Sequence, residues 1–301
     1  MWNPTTSTLK VARHELADSI RSRRAAVLLV IYFVGSLAAT AMFVKVLHQV
    51  ENQVEAAVGI AKSRQAGGAT AALWQNPHLR EFLTHMSGDE QLARQLLSIP
   101  PLALFYGWLS MTFAPLLVML MSSARISEEI WSGSVRFVLF RTSRLSWCFG
   151  KFLGQGAQLL VALLLSAVAA GLIGSLKLAA FDPLTNFTAL GVQSLKAWVY
   201  AMAFLGLATG ISQLVAGPNL ASALGFAALI GMSVVSALSS HLAGSGWRRA
   251  WDFVNLLTPA GHRPDLWRLD GAHLLPAVVF LLLLGVLYLL AGFAAFARRD
   301  L

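Results

Sequence analysis

The chain has 301 residues, 56% of them hydrophobic and only 12% charged, with a net charge of +9 and a mean hydropathy of +0.64. A soluble domain carries about 25% charged residues, so the composition excludes a soluble enzyme and a disordered tail, and a single cysteine, Cys148, excludes a disulfide scaffold. Lipid is the solvent that fits, and uncharged windows of about 20 residues, enough to cross a ~30 Å hydrocarbon core, are expected.

In chain order, residues 1–24 come first. Leu9, Ala12, Leu16 and Ile20 recur at helical spacing, while Lys10, Arg13, Arg21, Arg23 and Arg24 hold much of the remaining surface. This predicts an amphipathic elbow helix at the membrane interface. His14-Glu15 begins like a zinc-protease helix, but Asp18 stands where the second histidine would be. Span 1 is predicted over 25–44. Residues 45–101 then read as a small helical hairpin. Leu47, Val50, Val54, Ala57 and Ala61 prolong span 1, Gly67-Gly68 break it, Leu79, Phe82, Leu83 and Met86 mark a second helix, and Ser87 with Glu90 forms a capping box for a third that stops at Pro100-Pro101. His78 and His85 are seven apart and read as polar surface rather than as a metal site.

Five further spans are predicted over 102–124, 152–176, 197–215, 220–243 and 274–296. None of the six windows contains Asp, Glu, Lys or Arg. Residues 125–151 connect spans 2 and 3. Residues 244–273 carry a short aromatic segment that reads as a re-entrant or interfacial helix, and 297–301 form a tail. An even number of spans puts both termini on one side. Arg21, Arg23 and Arg24 abut span 1, Arg125 and Lys151 bracket the 125–151 connection, and Arg298 and Arg299 follow span 6. Basic residues in short flanks mark the cytoplasmic side, so both termini and the connection are expected in the cytoplasm, with the hairpin and the 244–273 loop outside. The fold class is therefore an all-α polytopic membrane protein with six transmembrane helices. The net charge reads as topology and not as a nucleic-acid surface, because no basic stripe interleaves with exposed aromatics.

Ion-coupled transport needs ionisable groups at membrane depth, and none is expected here. Gln155, Gln158 and Gln213 suit hydrogen bonding between helices, and Gly206/Gly210 and Gly150/Gly154 have the spacing of close helix seams. Gly150-Lys151 is followed by Phe152 and lacks a glycine five residues earlier, so it is no phosphate-binding loop. No residue qualifies as catalytic, cofactor-binding or metal-ligating. The two halves show no internal repeat of the kind a secondary transporter or channel would carry, although that class and a membrane anchor or assembly factor of a cell-envelope complex stay open on the residues alone.

The 125–151 connection reads RISEEIWSGSVRFVLFRTSRLSWCFGK. Its apolar run, Val135, Phe137, Val138, Leu139 and Phe140, needs a surface to pack on. Glu129 stands four before Gly133-Ser134, Ser143-Arg144 supplies a turn, and Gly150-Lys151 follows six after Arg144. In these features the sequence resembles the ABC-2 type permeases, transmembrane subunits of ATP-driven exporters. The leader ARHELADSIRSRR, the segment LLTPAG and the ending FARRDL are similar too. Departures are Trp131 where a second glutamate is common, no proline near Thr142, and a run from Gly133 to Arg144 one residue short.

The resemblance implies a bacterial inner-membrane permease that pairs with a second permease, identical or related, and with two cytoplasmic ABC ATPase subunits, which bind the ATP and magnesium. It also implies that the connection holds a coupling helix, with Glu128, Glu129, Gly133, Ser134, Phe137 and Arg144 as the residues contacting the ATPase.

Overall fold

The computed structural model describes residues 4–21, 23–58, 90–178, 181–241 and 248–299. The elements are α1 (Pro4–Arg21), α2 (Arg23–Val58), α3 (Glu90–Leu97), α4 (Pro101–Ser122), α5 (Arg125–Trp131), α6 (Ser134–Leu139), α7 (Arg144–Lys177), α8 (Pro183–Leu214), α9 (Pro218–His241), α10 (Arg248–Leu256), a 3-10 turn (Pro259–His262), α11 (Arg263–Trp267) and α12 (Gly271–Ala297). No strand occurs among them, and six helices, α2, α4, α7, α8, α9 and α12, are long and apolar enough to cross a membrane. The middle of the expected hairpin, including Gly67-Gly68, His78, His85 and Ser87, lies outside the described residues.

Local chemistry sets the helix starts. Pro101 and Pro183 occupy the first turns of α4 and α8, where a missing N–H costs nothing. The side chains of Ser143, Asp182 and Asp270 accept hydrogen bonds from the backbone N–H of Ser146, Thr185 and His273, which opens α7, α8 and α12.

α8 is the axis of the bundle. Buried residues make up 78% of its apolar window, against 22% for α2 and 11% for α9, so α8 is enclosed by protein while α2 and α9 are peripheral. It packs chiefly on α12, α4 and α7. The α8–α12 seam is backbone against backbone: a Cβ at Gly206 would collide with the backbone of Gly285, one at Gly210 with that of Tyr288, and one at Gly292 with that of Gly210. Only glycine permits that approach. The second glycine pair does something else. Gly150 and Gly154 face Thr8, Val11, Ala12 and Glu15, so they seat α1 across the start of α7.

The segment before α12 dips into the bundle. Tyr288 Oη, two-thirds of the way along α12, donates to the carbonyl of Leu257 at 2.7 Å, and His262 lies 4.2 Å, centroid to centroid, from Phe280. Arg263 Nη2 donates at 3.0 Å to Oγ1 of Thr112, halfway along α4. The LLTPAG residues thus form the tip of a re-entrant hairpin, and α11 climbs back from it.

The expectation of no ionisable group at depth is corrected on two counts. Lys196 was a boundary marker in the sequence, but α8 runs without a break from Pro183, so Lys196 lies inside it, buried, donating to the carbonyl of Arg268 at 3.1 Å. Arg263 is carried inward by the hairpin.

Candidate functional site

α4 passes into α5 with only Ser123 and Ala124 between them. The N–H groups of Ile126 and Ser127 both donate to Ser212 Oγ at 3.0 Å, which pins the start of α5 to the end of α8. α5 ends at Ser132, and the chain turns through Gly133 at φ +73°, a left-handed conformation that favours glycine. Ser134 Oγ reaches back to the carbonyl of Glu129 at 3.3 Å and lies 3.0 Å from Ser132 Oγ, closing the turn before α6.

α6 divides the apolar run between two faces. Val135 is 1% exposed and joins a cluster with Ile126, Trp147, Cys148 and Phe296, against which Val138 and Leu139 also pack. Phe137 and Phe140 point away at 76% and 85% exposure, beside Trp131 at 73%. Three of the five residues of the run therefore find their surface inside the chain. The other two, with Trp131, form an aromatic patch at the end of the bundle that holds both described termini, flanked by exposed Glu128, Arg136 and Arg141.

Behind the patch lies a network of ion pairs. Lys151 Nζ is 2.8 Å from Glu15 Oε2 and 2.5 Å from Glu129 Oε1. Arg125 Nε is 3.1 Å from Glu15 Oε1, and its Nη2 is 3.5 Å from Asp18 Oδ2. Gln155 Nε2 donates to Glu15 Oε1 at 3.3 Å. The side chains of Lys151 and Glu15 are only 3% and 5% exposed. Burial pushes the Glu15 carboxyl up, but Lys151 and Arg125 beside it more than offset that and hold it below the usual carboxylate range. The carboxylate thus stays charged at neutral pH and ties α1, α5 and α7 together.

The six residues expected at the site are placed differently from one another. Glu128 is exposed, Glu129 faces inward to Lys151, and Gly133 and Ser134 make the turn. Phe137 belongs to the patch. Arg144 sits elsewhere: its Nη1 donates to the carbonyls of Phe296, Ala297 and Arg299 at 3.2, 2.8 and 3.0 Å, capping the end of α12. Nothing in the sequence by itself joins Trp131, Glu15, Arg125 and Lys151 into one site. Trp131 carried a signal, a large aromatic where a charge is common, whereas the pairing of Glu15 with residues 110 and 136 positions away had none.

Six apolar helices packed with α8 as their buried axis, a re-entrant hairpin at one end and an aromatic connection at the other, describe a multi-pass membrane protein. A family model described as "ABC-2 family transporter protein" matches residues 9–301, and the chain belongs to that family, whose members are permeases of ABC-type transporters. No curated protein matches it.

Proposed function

We propose that this permease forms half of the translocation pathway of an exporter, paired with a second permease, identical or related, in a bacterial plasma membrane. Two cytoplasmic ABC ATPase subunits drive it and bind the ATP and magnesium. Family membership supports an ABC ATPase partner in general, and the basic flanks of the spans support the cytoplasmic placement of the connection.

The observation that carries the coupling assignment is the patch of Trp131, Phe137 and Phe140. Three aromatics exposed by 73 to 85% on a short, well-anchored segment represent apolar area that water disfavours. Aromatic side chains are typical anchors of protein interfaces. In this reading α6 seats its Phe137 face in a cleft of the ATPase, with Glu128 at the rim. Glu129, Gly133 and Ser134 set the path of the segment from behind, and Arg144 transmits its position to α12.

The test is purification of the intact chain in mild detergent from its native host. An ATPase of a few hundred residues, recovered in equal amount and lost from Phe137→Glu, supports the assignment. Absence of any ATPase from wild-type preparations in several detergents would overturn it.

A further inference from the structure

Within the bundle, away from the aromatic patch, two cations lack a carboxylate partner among the described residues. Lys196 bonds only the carbonyl of Arg268, and Arg263 bonds only Thr112. Asp265, two residues further on, lies 3.6 Å from Arg268. An unpaired guanidinium halfway along a spanning helix is costly in hydrocarbon, and such groups face a protein interior, a wet cavity or a ligand. Arg263 is half-buried: on one side its charge reaches the buried Tyr200, and on the other it meets the surface of α4. Its partner Thr112 is exposed, in a stripe on α4 with Trp108 (51%), Phe113 (44%) and Leu116 (38%).

That stripe borders an apolar groove. Between α2 and α4 lies a cleft of about 350 Å³ whose α4 wall is Leu109, Phe113, Leu116, Leu117 and Leu120. Thr112 is the helical neighbour, three or four positions along, of Leu109 and Leu116. The apolar cleft thus lies one helical turn along α4 from the residue that accepts the hydrogen bond of Arg263.

We propose that Arg263, with the α2–α4 groove, binds an anionic amphiphile as cargo: the guanidinium takes a phosphate or carboxylate head group and the groove takes an acyl chain. A guanidinium suits either anion through paired N–H donors, and an apolar groove beside it selects for a molecule carrying both features. The inference rests on the transporter reading above and names the class of its cargo.

The test uses the purified full-length chain and native mass spectrometry, with phosphatidylglycerol and phosphatidylcholine of matched chains as probes. Wild type should retain phosphatidylglycerol preferentially, and Arg263→Gln should lower that retention about tenfold. Arg263→Lys should keep part of it, and Thr112→Val, which removes the hydrogen bond but keeps the charge, should keep most. Equal retention of the two lipids by wild type, an unaffected Arg263→Gln, or an equal loss in Thr112→Val would overturn the proposal. Displacement of phosphatidylglycerol by millimolar inorganic phosphate would also overturn it, because the site would then read a small anion alone. In the intact complex, ATP and magnesium should release the bound probe; unchanged occupancy would mark a resident lipid and overturn the cargo assignment. The binding measurements need only the permease chain, so they remain decisive even if no ATPase co-purifies and the coupling assignment fails.

Discussion

Lys151 Nζ lies 2.5 Å from Oε1 of Glu129, which joins the first turns of α7 to the segment that turns the chain toward the aromatic patch. The same ammonium holds Glu15, so removing it leaves that nearly buried carboxylate to Arg125 and Gln155 alone, while Glu129, 28% exposed, can rehydrate. Breaking a buried pair from one side costs about 3–5 kcal/mol, whereas a pair near the surface contributes under about 1 kcal/mol. Lys151→Ala should therefore destabilise the protein far more than Glu129→Gln, as read by thermal unfolding in detergent. Equal losses would mean that the Glu15 contact carries little of the energy.

Glu15 gives the network a pH signature. Its carboxyl is held below the ordinary value of 4.5 in the folded protein. The unfolded chain thus binds its proton first as pH falls. The stabilisation is fully present above about pH 4.5, declines below that, and is lost as pH drops through the lower folded value. Unfolding midpoints followed from pH 7 to pH 3 should fall in this window for wild type, and Glu15→Gln should flatten the part of the slope that Glu15 supplies.

The glycine seam predicts a contrast within one residue type. Gly206→Ala places a methyl group on the backbone of Gly285, and overpacking of this kind typically costs about 1–3 kcal/mol. Gly231 in α9 is exposed, with nothing within 4 Å of an added Cβ. Gly231→Ala should be neutral, or stabilising by up to about 1 kcal/mol through helix propensity. Thermal unfolding of the two variants side by side decides whether α8 and α12 are locked as described.

Charge reversal separates the two neighbouring glutamates. Glu128→Arg alters an exposed rim position, and Glu129→Arg places a cation beside Lys151 while removing one of its two carboxylate partners. Under the coupling assignment, Glu129→Arg should retain less ATPase in pull-downs and show lower substrate-stimulated ATPase activity in the reconstituted complex, with membrane insertion unchanged. Wild-type stimulation and subunit retention in that variant would separate Glu129 from coupling.

Orientation can be read with one engineered thiol. Cys148 is buried at 1% exposure, so it is a poor reporter. Phe140→Cys in a Cys148→Ala background presents a thiol at a position 85% exposed. An impermeant reagent should label it only after the membrane is opened. Labelling in intact cells would place the connection outside and remove it from any cytoplasmic partner.

Much of the architecture was legible because a spanning helix declares itself locally: about 20 uncharged residues need no knowledge of what they touch. The six apolar windows correspond to the six apolar helices, and the Gly206/Gly210 spacing lies at a true backbone contact. Lys196 shows where local reading stops. Charge ended the predicted window there, yet the helix continues because a carbonyl of the hairpin, 72 residues away, receives the ammonium. Arg144 is similar. Its motif suggested a partner contact, but the carbonyls it binds belong to the end of α12, some 150 positions later. Glu15 looked like one charge on an interfacial helix, and only the docking of α1 on Gly150 and Gly154 buries it.

The grip of Arg144 on the end of α12 has a mechanical meaning. The arginine opens α7, one turn of chain beyond the aromatic patch, and α12 in turn meshes with α8 through glycines that leave no side chain to act as a cushion. A push on the patch therefore meets a stiff plate of two helices rather than a string of separate rods, since packed interfaces of this kind shift between discrete fits instead of yielding gradually. α2 and α9 stand outside that plate, and α2 forms one wall of the groove that faces α4.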